Sequence, residues 1–236
     1  MRSLASLPPV IAVGVAVASL VAIIDPAIYA RETASWAAQG FGQDCVDLVV
    51  IAPALLVAGL RARHGSRGAT LVTGGLLLYA AYSFAIYAVT MHFNALFLLY
   101  CAIFGASTFA LVDLVTTMLV DRSRHEIAPR FPRGAAMLAL VAIAVLFASL
   151  WLADLVPALV HGRDPASLST TGQVANVVEV LDLSLVLPAM LIVAAALHRR
   201  RPIGDVLAPM LLVFAIAMFS AIAGMTVVMH VRGVAS

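Results

Sequence analysis

Seven stretches of this chain run for about 18 residues or more with almost no charge, and that pattern decides most of what the chain can fold into. A helix needs about 20 apolar residues to cross the hydrocarbon core of a bilayer. The stretches cover about residues 9–30, 44–61, 70–91, 95–120, 134–158, 177–198 and 205–230. They are continuous rather than alternating in polarity, which selects helices over barrel strands. Only 11% of the residues are charged, where a soluble domain of this size carries about a quarter. The expected fold is all-α: a polytopic integral membrane protein with seven transmembrane helices, residues 1–236 forming a single transmembrane domain. The opening run "MRSLASLPPVIAVGVAVASLVAIIDPAIYA" carries a single arginine. Its apolar part is longer than the core of a secretory signal, so it reads as an uncleaved first helix.

All 14 basic residues are arginine. Without lysine there is no amine to form a Schiff base, so a retinal photoreceptor is excluded despite the helix number. Eleven of the arginines, Arg2, Arg61, Arg63, Arg67, Arg122, Arg124, Arg130, Arg133 and Arg199 to Arg201, fall before segment one or in the loops after segments two, four and six. The other three, Arg31, Arg163 and Arg232, fall on the opposite side. The positive-inside rule then predicts a protein of the plasma (inner) membrane with its N-terminus in the cytoplasm and its C-terminus outside.

One short pattern occurs twice. "DCVDLVVIAPALL" begins at Asp44, and "EVLDLSLVLPAML" begins at Glu179. Aligning the two pairs Asp47 with Asp182, Leu48 with Leu183, Pro53 with Pro188 and Ala54 with Ala189. Segments one to three (about 9–91) therefore read as repeated in segments five to seven (about 134–230), with about 95–120 as a linker helix between them. Segments two and six run the same way, so this 3+1+3 repeat is parallel, with its axis along the membrane normal. In helix order the layout resembles the SWEET sugar transporters, which carry a proline in helices one, two, five and six. Pro26, Pro53, Pro157 and Pro188 stand in those helices here. The resemblance is one of topology, and the orientation read from the arginines is the reverse of that family's.

The chemistry gathers toward the outer end. Thirteen residues, Leu48 to Leu60, separate Asp47 from Arg61, or about 20 Å of helix, which leaves Asp47 inside a core about 30 Å thick. Asp182 lies at matching depth before His198. Asp44 and Glu179 precede them by three residues and share their helix faces. Asp25 and Asp154 sit near the outer ends of segments one and five. Carboxylates at such depth normally face a bundle interior or a water-filled cavity. If two acidic faces meet near the repeat axis, their like charges would take up protons or bind a cation. The competing reading is that Asp44 and Glu179 cap helices.

Weaker signals surround this group. Tyr79, Tyr82, Ser83, Tyr87 and Thr90 form one stripe on segment three, with Tyr82 able to join the site. His92 and Asn94 occupy the turn after it. Asp113 stands apart, toward the inner arginines. Met218, Met225 and Met229 read as core filler. Cys45 and Cys101 show no metal spacing, and the loops about 31–43 and 159–176 are long enough to form a lid.

No HExxH, GxSxG or Walker A pattern is present, so no motif names a cofactor, and whether the acids hold a metal stays open. The expected partners are the lipid bilayer and a small molecule, proton or cation, not nucleic acid. The leading functional reading is a transporter or ion-coupled permease with a carboxylate-lined outer cavity. Asp47, Asp182, Asp44, Glu179, Asp25, Asp154, Tyr82, His92 and Asn94 are its candidate site residues. The alternative is a membrane-embedded enzyme acting on a lipid or isoprenoid, with Asp47 and Asp182 as general acid and base. The third possibility is a structural or accessory membrane subunit.

Overall fold

The computed structural model describes residues 4–120 and 132–234; Arg2, Arg122, Arg124 and Arg130 lie outside the described residues. Among the described residues, seven helices are long and apolar enough to cross a membrane. These are α1 (Leu7–Ile24), α2 (Ala34–Arg63), α3 (Arg67–Thr90), α4 (Phe97–Val120), α5 (Arg133–His161), α6 (Val177–His198) and α7 (Pro202–Val231). No strand forms among them. The protein is a multi-pass, all-helical membrane protein whose outward surface is itself apolar: Val10, Leu98, Leu138, Val160 and Ile216 are all exposed.

Two spans differ from the sequence expectation. The second begins at Ala34, not near 44, because Thr33 caps it by accepting the Trp36 amide at 3.2 Å. The stretch 31–43 is therefore mostly helix and forms no lid. At 30 residues α2 is about 45 Å long, more than the hydrocarbon core requires, so it tilts or projects beyond it. The first span stops at Ile24 rather than 30, and Pro26–Tyr29 form a separate 3₁₀ turn with Asp25 at its head.

Both α2 and α6 carry one π-helical turn, at Asp47–Ile51 and Asp182–Val186. Each widens the spiral, so that the amide of Ala52 donates to the Asp47 carbonyl and that of Leu187 to the Asp182 carbonyl, five residues back. Pro53 and Pro188 follow immediately. A proline has no amide to donate and crowds the carbonyl four residues before it, so a wider turn relieves the clash.

The helix α3 is the centre of the bundle: 67% of its apolar window is buried, against 17% for the peripheral α5. Against α3 pack α4 and α7, and α7 also lies along α2 and α6. The α2–α7 crossing is a backbone contact. A Cβ on Gly42 would stand 2.6 Å from the Met225 Cα and 2.7 Å from the Gly224 carbonyl oxygen, so only glycine fits there. At the arginine-rich end, Arg133 donates to both carboxylate oxygens of Asp205 at 2.9 Å each, fastening the start of α5 to the start of α7.

Candidate functional site

Two tyrosines one turn apart on α3 organise the polar interior. The Tyr79 hydroxyl donates to Asp47 Oδ1 at 2.6 Å, and the Tyr82 hydroxyl donates to Asp182 Oδ1 at 2.9 Å. A single face of α3 thus reaches the matched aspartates of α2 on one side and α6 on the other, because residues at i and i+3 project over adjacent parts of a helix surface. The two carboxyls then diverge. Asp47 is fully enclosed and its Oδ2 is without a hydrogen-bond partner. Asp182 receives a second donor, the Trp151 indole N–H at 2.9 Å, and borders a cavity.

That cavity has a volume of about 380 Å³. Its walls are Trp36, Gln39, Gly40 and Gln43 from α2; Tyr82, Ser83, Ile86 and Tyr87 from α3; Phe147 and Trp151 from α5; Asn176, Val178 and Asp182 from α6; and Met218, Ile222, Met225, Thr226 and Met229 from α7. Ser167, Thr170 and Thr171 of the short helix Ala166–Thr171 border it at the arginine-poor end. Two contacts hold this short helix: Asp154 accepts the amides of Ala166 and Ser167 at 3.0 and 3.2 Å, and the Thr33 hydroxyl donates to the Thr170 carbonyl at 2.9 Å. The stretch 159–176 therefore supplies cover to the cavity, while 31–43 supplies wall.

The remaining candidate residues scatter around this centre. Asp44 is buried and accepts a short hydrogen bond from the Tyr29 hydroxyl. The absence of a side chain at Gly40 makes this contact, since a Cβ there would meet the Tyr29 ring at 2.6 Å. Burial first, and then the nearby Asp44, push the Tyr29 phenol above its ordinary range, so it stays a donor. Glu179 accepts from the Asn176 side chain at 2.9 Å, while Asn176 accepts the amides of Val178 and Glu179; the pair caps α6. Asp44, in contrast, lies in the third turn of α2 and caps nothing. Asp25 is exposed and accepts the Ala27 amide. His92 pairs with Glu32 at 3.1 Å, and Asn94 closes its own turn on the Leu96 amide; neither borders the cavity. Asp113 accepts the Leu4 amide at the arginine-rich end. Cys45 and Cys101 are both free thiols.

Sequence reasoning missed Trp36, Gln39, Gln43 and Trp151. The first three recur with Asp47 at three- and four-residue steps, a helix-face signal that reading 31–43 as a loop concealed. The methionines read as core filler do pack with the core, Met218 and Met225 against it and Met229 buried, and they border the cavity as well. Among the described residues no three His, Cys, Asp or Glu side chains gather closely enough to hold a metal. No protein-family model, curated protein or solved structure matches this chain.

Proposed function

We propose that the protein is a small-solute transporter of the plasma membrane, and that the cavity beside Asp182 is its substrate site. The observation that carries this reading is a cavity of about 380 Å³, the size of a small-molecule site, with a carboxylate in its wall and a π-helical turn starting at that same residue. Carboxylates at membrane depth mark substrate and ion pathways, and π turns cluster at working sites because they loosen a helix locally. The matching turn at Asp47, 135 positions earlier, supports the parallel 3+1+3 repeat as part of the same proposal. The arginine distribution supports a cytoplasmic N-terminus and a cavity facing outward.

The enzyme reading has less support. An acid–base pair must reach one substrate from both sides, whereas Asp47 is wholly enclosed and only Asp182 borders the cavity. The test is reconstitution into liposomes with a panel of labelled sugars, amino acids, organic cations and organic anions. At least one class is expected to enter faster than into protein-free vesicles, and Asp182→Asn is expected to abolish that entry. Uptake of every class at the protein-free rate overturns the proposal.

A further inference from the structure

We infer that the cavity takes a monovalent organic cation with an apolar body: an ammonium compound carrying an aromatic or alkyl group. The inference rests on the substrate-site reading above and gives it a chemical class.

Charge comes first. Among the described residues lining the cavity Asp182 is the one acidic or basic residue, and no arginine or histidine stands with it. Both of its oxygens accept, one from Tyr82 and one from Trp151, two donors that stabilise its ionised form. An anion set in a largely apolar wall without a counter-charge is costly, and a cationic guest removes that cost. A bare metal ion is a poor occupant: it needs several hard ligands at close range, and Asp182 is the one carboxylate present. The volume instead suits a molecule of drug-fragment size.

The walls give the body. Trp36, Tyr82, Tyr87 and Trp151 place aromatic side chains, the type that attracts a cation, in the wall, and Met218, Met225 and Met229 add a pliable apolar surface.

The test uses benzoylcholine against its neutral isostere 3,3-dimethylbutyl benzoate, in which carbon replaces the quaternary nitrogen, and against benzoate. Binding to the purified full chain in lipid nanodiscs is measured by equilibrium dialysis. Tryptophan fluorescence locates the ligand, because the only two tryptophans of the chain, Trp36 and Trp151, both line the cavity. Benzoylcholine is expected to bind saturably, perturb the fluorescence and exceed the isostere in affinity by about tenfold or more. Asp182→Asn is expected to lose about that factor. Equal or tighter binding of the isostere or of benzoate overturns the assignment, and this comparison needs no variant to fold. Vesicle flux separates the two proposals. Benzoylcholine that binds at the cavity, with neither it nor any class of the solute panel crossing faster than in protein-free vesicles, overturns the transporter and leaves the cation site standing. Carriage of another class of solute by a protein that ignores benzoylcholine overturns the cation site and leaves the transporter.

Discussion

Asp47 and Asp182 are the same residue type at the same place in a repeated motif, and each accepts a tyrosine hydroxyl from α3. Their surroundings make them different groups. Asp182 has a second donor and a cavity from which water can replace a lost bond. Asp47 accepts the Tyr79 hydroxyl, has the Gln43 side chain beside it and is without exposure. Tyr79→Phe should therefore strand a buried carboxyl, at a cost of roughly 1–3 kcal/mol, while Tyr82→Phe should cost well under half of that. Thermal unfolding of both variants in one detergent checks the difference, and equal losses would contradict the asymmetry. The same reasoning separates the aspartates in binding: Asp47→Asn should leave benzoylcholine affinity within about threefold of wild type, whereas Asp182→Asn should not. The burial of both acids was legible, because counting residues to an arginine or histidine puts them well inside their helices. Their inequality was not, since it depends on how α5 and the short helix Ala166–Thr171 close over one of them.

At the scale of the element, α2 shows what hydropathy can and cannot see. A sliding hydropathy reading detects helices by their contact with lipid. The first ten residues of α2 face protein instead: Gly40 admits the Tyr29 ring, Gly42 meets the backbone of α7, and Trp36, Gln39 and Gln43 face the cavity. Polar and small residues there make an enclosed helix look like a loop. The other spans are apolar over nearly their whole length, and apart from the end of α1 their positions were legible to within a few residues. The π turns were not legible as such, although the two prolines that accompany them were. Since α2 and α7 touch at glycine, Gly42→Ala should force the helices apart and destabilise the protein by about 1–3 kcal/mol. Gly105, in α4, faces open space, so Gly105→Ala should be neutral or stabilising by up to about 1 kcal/mol, the ordinary gain from removing a helix glycine. Melting of the two single variants checks both signs, and a harmless Gly42→Ala would remove the tight crossing from the account.

For the whole molecule, an odd number of spans places the two chain ends on opposite faces, and the arginines decide which is which. Eleven arginines bias one face against three on the other, and positive charge resists translocation. A fluorescent-protein fusion after Gly65 should therefore glow in the cytoplasm, and an alkaline phosphatase fused to the C-terminus should be active outside. Two cytoplasmic reports would contradict seven spans, while two reversed reports would keep the spans and invert the protein. The cavity ties this topology to function, because Thr226 lines it and Thr117 lies near the opposite end of the bundle beside Asp113. In a background with Cys45 and Cys101 replaced by serine, Thr226→Cys should react with a membrane-impermeant thiol reagent added to intact cells, and benzoylcholine should slow that reaction. Thr117→Cys should react only after the membrane is opened. The rates report the side from which the cavity is entered, so labelling of Thr117→Cys alone from outside would place the cavity on the cytoplasmic face.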